Sequence, residues 1–392
     1  MKDNICIGVV GAGRATQLHM EAYETVSNVN IRYKTIVAKR IEQLEKAKDA
    51  YGFEYISTNI NDILDDPEID VVDICTPPYC HIEFIKKALK ANKHVICEKP
   101  LTGYCGEDMV NGVAFEVSKK EMYNRICDEL NSLKTEIEKS NKIFMYAENF
   151  VYAPAVCKIN EIINAKKTKL LFLKGEESLK GSSSHVANEW SKTGGGSLIR
   201  VGSHPLSAIL WLKQQESLYR NEDIKIKSIY CNDGQLTKGL TEYEHRHISA
   251  HPNDVEDFAT LIITFSDNTR ALIIATDVLL GGSKNYIDVY GNDVAMTCNL
   301  TPNNLLNTYL LDEDGMNDVY ISEMLPSKLG WNQPFISDNI IRGYRDEIQD
   351  FVNCIVKNEK PKSGFDLAYD TIKVIYAAYY SAEIKKEIEF DN

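Results

Sequence analysis

Near its N-terminus the chain reads Ile5-Cys6-Ile7-Gly8-Val9-Val10-Gly11-Ala12-Gly13-Arg14-Ala15-Thr16, a β-rich apolar run that passes through two glycines into an amphipathic stretch, Gln17–Val26. This strand, turn and helix start constrain the fold more than any other feature. Gly11 permits a tight turn, Gly13 lets an anion approach the backbone, and the helix start offers free N–H groups to pyrophosphate oxygens. Thr16 stands where such a fingerprint has its third glycine. Gly11, Ala12, Gly13, Arg14, Ala15 and Thr16 are the expected dinucleotide-binding segment.

The next hundred residues alternate β-rich runs (Cys6–Val10, Tyr33–Ala38, Val71–Cys75, His94–Cys97) with helical patterns (Gln17–Val26, Ile41–Tyr51, Ile82–Ala91). Ile82, Ile85, Ala88 and Leu89 recur at helical spacing, with lysines opposite. Alternation of this kind calls for parallel strands joined by crossover helices, an α/β Rossmann unit. A glycine-containing stretch, Leu101–Lys119, reads as an insertion: a lid, an altered rim or a modified subunit contact. A helix over Lys120–Ser140 and a strand over Ile143–Ala147 complete a nucleotide-binding domain over 1–150.

Beyond Pro154 the texture changes. Leu170–Leu173, Ile226–Cys231, Leu261–Phe265, Ala271–Ala275, Tyr286–Tyr290 and Ala295–Leu300 are strand-like, and helical patterns over Asp338–Lys357 and Asp366–Ile388 close the chain. Closely spaced strands with turn sequences between them predict an α+β domain over 151–392 with a large, mostly antiparallel open sheet.

Forty-four basic against 57 acidic residues give a net charge of −13, which disfavours nucleic acid and anionic membrane as partners. No apolar run approaches the roughly 20 residues of a membrane span. The ten cysteines are scattered singly, several inside apolar strands, and read as reduced core residues of a cytoplasmic protein with no secretory leader.

The second strand ends Ala38-Lys39-Arg40, without the carboxylate that grips the adenosine ribose of NAD. A 2′-phosphate is then not repelled, and Lys39 or Arg40 can pair with it; NAD(P) is expected, with NADP slightly favoured. Thr76-Pro77-Pro78-Tyr79-Cys80-His81 and Glu98-Lys99-Pro100 follow the next two strand ends, where open α/β sheets bind ligands. Thr76, Pro77, Pro78, His81, Glu98 and Lys99 therefore join the cofactor crevice.

With these motifs the sequence resembles the glucose–fructose oxidoreductase, inositol dehydrogenase and MocA family (Gfo/Idh/MocA). The resemblance rests on the glycine loop with His19 behind it, Thr-Pro-Pro-x-x-His and Glu98-Lys99-Pro100. It continues through Gly194-Gly195-Gly196-Ser197-Leu198 running into Gly202-Ser203-His204, then Val255-Glu256-Asp257-Phe258 and Ala377–Phe390. It implies that Lys99 and His204 are the catalytic pair, acting on a secondary hydroxyl of a sugar, sugar derivative or cyclic polyol. It also implies a homodimer or homotetramer formed through the C-terminal sheet. Independently, alcohol oxidation needs a base for the hydroxyl proton, which a lysine in a crevice can supply.

Family members acting on polyols commonly carry Asp four residues before the histidine; here that residue is Arg200. Inside the pocket it would favour an anionic substrate; turned away it is structural. His185, Asn188, Glu189 and Trp190 are candidates for the substrate rim. His245, His247 and His251 have weak metal-ligand spacing, and no metal is assigned. Two alternative functions remain open: a glycosidase-like enzyme using bound NAD(P) for transient oxidation without net redox change, and a catalytically silent ligand-sensing regulator.

Overall fold

A computed structural model describes residues 4–106, 116–182, 184–301, 308–310, 329–332 and 341–390. Strands β1 (Asn4–Val10), β2 (Asn30–Val37), β3 (Tyr55–Ser57), β4 (Val71–Ile74), β5 (His94–Glu98) and β6 (Phe144–Ala147) form one sheet in the order β3-β2-β1-β4-β5-β6. All five pairings are parallel. Such a sheet is covered on both faces, and every residue of β4 and β6 is buried. Helices α1 (Arg14–Tyr23), α2 (Ile41–Tyr51), α3 (Asn61–Leu64), α4 (His81–Lys90) and α5 (Lys119–Lys139) supply the cover. In α4 the buried residues include Ile82, Ile85, Ala88 and Leu89, the stripe read from the sequence. The strand order reverses between β1 and β4, which opens the crevice at their carboxyl ends.

After α6 (Pro154–Lys166) the chain builds a second sheet. Its strands are β7 (Leu170–Ser178), β8 (Ile226–Gly234), β9 (Phe258–Phe265), β10 (Arg270–Thr276), β11 (Lys284–Gly291) and β12 (Ala295–Asn299). Short helices α7 (Trp190–Thr193) and α9 (Glu242–His245) lie in its connections, and α8 (Ser203–Arg220) packs on β7. A two-stranded ladder, β13 (Thr308–Leu310) with β14 (Gly330–Asn332), precedes α10 (Tyr344–Lys357), α11 (Phe365–Ile384) and β15 (Ile388–Glu389). The large sheet has the order β12-β11-β7-β10-β9-β8-β15. Only its β7–β10 pair is parallel; the other five are antiparallel. Its outward residues Tyr230, Ile262 and Tyr290 are exposed, and Phe172 stacks on Tyr290.

Some sequence expectations shift. β3 is three residues long, too short to stand out, and the first half of α8 has no exposed face to betray a helix: Leu206, Ala208, Ile209, Leu210, Trp211 and Leu212 are all buried. The closing helices start at Tyr344 and end at Ile384; residues 338–340 of the expected first helix lie outside the described residues. α10, placed with the second half by the sequence reading, packs against α1. The insertion expected at 101–119 lies partly outside the described residues. Its described start runs alongside Gly194, and its end, Lys119, places Nζ 3.4 Å from the centroid of the Trp190 ring. All ten cysteines are free thiols. Among the described residues no helix is long and apolar enough to cross a membrane.

The triple glycine is held by one buried carboxylate. Glu256 accepts from Gly196 N and Leu198 N, both at 2.8 Å, and from the Tyr379 hydroxyl at 3.0 Å, while its carbonyl accepts from Ser197 N at 2.9 Å. A Cβ on Gly196 would lie 1.8 Å from that carbonyl oxygen, so no other residue fits. Tyr376 donates to Gly194 O at 2.7 Å and accepts from Tyr104 N. Trp190 Nε1 donates to Tyr104 O at 2.9 Å. The π-helical turn Leu198–Gly202 and then α8 follow directly from this anchor.

Burial pushes the Glu256 carboxyl up to about 7, and Asp233 adds to the rise. Between its unfolded value and pH 7 the folded chain therefore holds a proton that the unfolded chain has released. This contribution to stability is full at low pH and lost as pH rises through 7. Denaturant unfolding at pH 5 and pH 7 should show it: Glu256→Gln, which cannot titrate, should remove about 2 kcal/mol of the stability gained on acidification.

Candidate active site

Gly11 has φ +116°, and a Cβ there would lie 2.3 Å from the Cys75 carbonyl oxygen, so the turn brings β1 directly against the end of β4. Gly13 caps α1 without a side-chain hydrogen bond, and a Cβ on it would meet nothing within 4 Å. The first turn of α1 carries no acidic residue. Open backbone, free helix-start N–H groups and no negative side chain fit a dinucleotide pyrophosphate. Thr16, in place of the third glycine, is buried and donates from Oγ1 to Gly11 O at 3.0 Å, which ties the turn to the helix. Ala12 borders the same turn, and Arg14 and Ala15 open the helix; Arg14 is exposed and donates to Gln17. At the end of β2, Ala38 is half-buried while Lys39 and Arg40 are exposed.

Beneath the loop, His19 Nδ1 lies 2.9 and 3.0 Å from the two oxygens of Asp73, and Nε2 lies 3.2 Å from Glu98 Oε1. Tyr23 also donates to Asp73, at 3.0 Å. Burial lowers the His19 pKa, but the charges of Asp73 and Cys75 and the hydrogen bonds to both together outweigh it and hold the imidazole well above its usual value. His19, Asp73 and Cys75 form the one trio among the described residues with ligand atoms in mutual reach. The imidazole Nδ1 is already committed to the Asp73 carboxylate, so hydrogen bonding accounts for that side of the cluster without a metal. His245 and His251 bring their rings to 4.1 Å, while His247 is exposed.

The two strand-end motifs are tied by His81. Its Nδ1 lies 3.0 Å from Pro100 O and its Nε2 2.7 Å from Thr76 O. The ring is buried, so His81 acts on the crevice by fixing the Thr76-Pro77-Pro78 and Lys99-Pro100 segments and not by facing it. Glu98 Oε2 accepts from Lys99 N at 2.9 Å. Glu98 therefore joins His19 on one side to the Lys99 backbone on the other.

Lys99 leaves the end of β5 and donates from Nζ to Arg200 O at 2.9 Å, reaching the π-helical turn that leads into α8. Four residues later His204 is buried, its ring stacked on Phe150 at 4.6 Å and its Nδ1 2.7 Å from Glu148 Oε1. Burial, with the charges of Lys99 and Arg342, holds the His204 pKa well below its usual value. Burial pushes Glu148 up, and Lys99 opposes the rise. Lys99 and His204, far apart in sequence, are thus brought to one place by opposite halves of the chain. Arg200 instead turns its guanidinium to Asp277, which follows β10. Trp190 is buried edge-on to Tyr379 and under Lys119, a packing position. His185 lines a cavity of about 500 Å³ with Asn188, Glu189, Ser249 and His251.

Residues 5–122 match the oxidoreductase family with an NAD-binding Rossmann fold, and residues 183–390 match its C-terminal alpha/beta domain. The chain belongs to the Gfo/Idh/MocA oxidoreductase family. Levoglucosan dehydrogenase of Pseudarthrobacter phenanthrenivorans is 24% identical over 97% of this Gfo/Idh/MocA chain and 96% of its own. The uncharacterized oxidoreductase YrbE of Bacillus subtilis is 35% identical, but the match spans only 26% of this chain and 29% of YrbE. Among solved structures, GenD2 from gentamicin A biosynthesis, in complex with NAD, superposes with a TM-score of 0.79 at 18% identity, over 100% of this chain and 98% of its own.

Glu148, Asp277 and Glu256 were not singled out as site residues in the sequence. Glu148 carried a usable signal: it follows the last parallel strand at its carboxyl end, where ligands gather. Asp277 carried none, because its partnership with Arg200 depends on where β10 lies.

The Arg200–Asp277 pair is mostly buried, with 17% and 6% of the two side chains exposed. Asp277→Asn should therefore cost about 3 kcal/mol in urea unfolding, by leaving a guanidinium without its counter-charge. Replacing both residues, as Arg200→Met with Asp277→Leu, should recover most of that loss. A double variant as unstable as the single one contradicts the pairing.

Proposed function

We propose that this family member is an NAD(P)-dependent dehydrogenase acting on a secondary hydroxyl of a sugar, sugar derivative or cyclic polyol. The observation that carries this reading is the meeting of Lys99 with the turn that delivers His204, at the carboxyl ends of the strands that form the nucleotide crevice. Residues 1–150 bind the nucleotide, and 151–392 complete the substrate wall. Relatives named levoglucosan dehydrogenase and myo-inositol 2-dehydrogenase, from Pseudarthrobacter phenanthrenivorans and Thermotoga maritima, support the substrate class.

A dinucleotide held by the Gly11–Thr16 turn and the segments at Thr76 and Lys99 would supply the hydride acceptor. This chain's own groups do the rest. Lys99 and His204 bracket the substrate hydroxyl and one of the two takes its proton, because alkoxide character must develop at that oxygen as the C–H bond breaks. Phe150 is fully buried and stacks on the His204 ring, which holds the plane of the imidazole. Since Asp277 neutralises Arg200, the site is suited to a neutral polyhydroxylated substrate over a sugar acid. The outward face of the large sheet, with Tyr230, Ile262 and Tyr290, is the surface through which copies of the chain pair into a homodimer or homotetramer.

Lys99→Met should lower turnover about 10²-fold or more with cofactor affinity little changed, and His204→Ala should fall in the same direction. The assay is a screen of neutral sugars, polyols and the corresponding acids at the reduced-nicotinamide absorbance band. Product formed without accumulated reduced cofactor would point instead to transient oxidation with no net redox change. A Lys99→Met protein keeping more than about a tenth of wild-type turnover removes Lys99 from the chemistry.

The cofactor is NADP at least as readily as NAD, on the strength of the exposed Lys39 and Arg40 beside Ala38. Arg40→Ala should weaken NADP selectively, by about 1.5–3 kcal/mol in titrations of both cofactors. Equal losses for NAD and NADP exclude the 2′-phosphate contact.

A further inference from the structure

Replacement of the family's Asp by Arg200 leaves a question of charge. If His204 takes a proton in a buried site, something must compensate the imidazolium, and Arg200 cannot. Its guanidinium is positive, and it is engaged with Asp277. The carboxylate nearest the imidazole comes from another place in the chain. Glu148 follows β6, is fully buried, and sets Oε1 2.7 Å from His204 Nδ1. The same oxygen accepts from Phe150 N at 3.3 Å, which anchors the carboxylate while the Phe150 ring stacks on the imidazole. His204 is thus held in its plane from one side and by its edge from another.

We propose that Glu148 is the positioning residue of His204: it holds the proton on Nδ1, leaves Nε2 as the acceptor for the substrate hydroxyl, and compensates the imidazolium that then forms. The inference rests on the reading of His204 as a proton-transfer group. In the oxidation direction the substrate C–H hydride goes to the nicotinamide and the hydroxyl proton to Nε2, so the product is a ketone and the charge gained at His204 is matched by the Glu148 carboxylate. Glu148 touches neither substrate nor cofactor in this scheme. It does the work that a carboxylate does for the imidazole of a triad, supplied here by the last strand of the nucleotide sheet and not by the helix that carries the histidine. The other charged groups acting on the pair are Glu98 at the end of β5 and Lys99 just after it, Glu177 from β7, and Arg342 and Glu347 around the start of α10.

The test combines kinetics with ¹⁵N NMR of histidine-labelled protein. In the wild type, His204 should show the neutral tautomer protonated at Nδ1; the Nε2-protonated form would overturn the proposal whatever the variants do. Glu148→Gln should lower kcat on the order of 10²–10⁴-fold, with KM and cofactor affinity little changed. It should also change the His204 ¹⁵N shifts and move the acid limb of the kcat/KM profile about one to two pH units downward, since the imidazolium loses its counter-charge. Glu148→Asp should recover part of kcat and return the acid limb toward wild type. A Glu148→Gln protein with wild-type kcat, pH profile and His204 shifts overturns the proposal, while inactivity of Lys99→Met and His204→Ala in the same assay would leave the dehydrogenase reading standing. If those two variants remain fully active, the dehydrogenase reading itself has failed, and this proposal with it.

Discussion

The carboxylate of Glu256 decides where the second half of the chain meets the first. It draws two backbone N–H groups of the glycine segment and a tyrosine hydroxyl onto one buried group, and the segment is so close that only glycine fits at 196. From that fixed point the chain makes the π-helical turn that presents Arg200 O to Lys99, and one helical turn later His204. A buried carboxylate is costly unless its oxygens are satisfied. Here the satisfaction is the architecture, because the groups that solvate Glu256 are the ones whose positions matter.

Much of the fold was legible because the parallel sheet is written in periodicity. Its strands are short apolar runs, its helices carry one apolar stripe, and Gly11 and Gly13 mark the crossing between the first two elements. α8 resisted the same reading because its first half, Ser203–Lys213, is buried all round and has no contrast between faces. The site was legible where chemistry concentrates in a local motif, as at Glu98-Lys99-Pro100. It was illegible where two residues with no shared motif become partners across the fold. Arg200 could be flagged as a departure, but only the position of Asp277, 77 residues on, shows what the guanidinium answers to. His81 illustrates a further limit: a histidine at a strand end invites a functional reading, and only the carbonyls of Thr76 and Pro100 show that its work is to join two loops.

Charge in the centre of the molecule is arranged in separate close ion pairs. His19 lies between Asp73 and Glu98, Arg200 faces Asp277, and His204 faces Glu148. Lys99 stands among them with its ammonium on a backbone carbonyl, so its charge is oriented without being cancelled by a carboxylate at contact distance. In a low-dielectric crevice an ammonium held in that manner interacts strongly with any oxygen that becomes negative beside it. The surrounding pairs keep their own fields local, which leaves the polarity of the reaction space to a small number of groups.

The packing of α10 against α1 has a consequence for how the chain matures. Ser27, just beyond α1, hydrogen-bonds Gln349 of α10 across 322 residues of sequence, and the buried Glu347 lies in the electrostatic surroundings of His19. The helix behind the glycine turn is therefore backed by an element more than three hundred residues further along the chain. The crevice can begin to form when the first strands pair, but its backing is complete only once α10 packs on α1, a contact of high sequence separation. A chain lacking α10 would present its glycine loop without the packing that backs it.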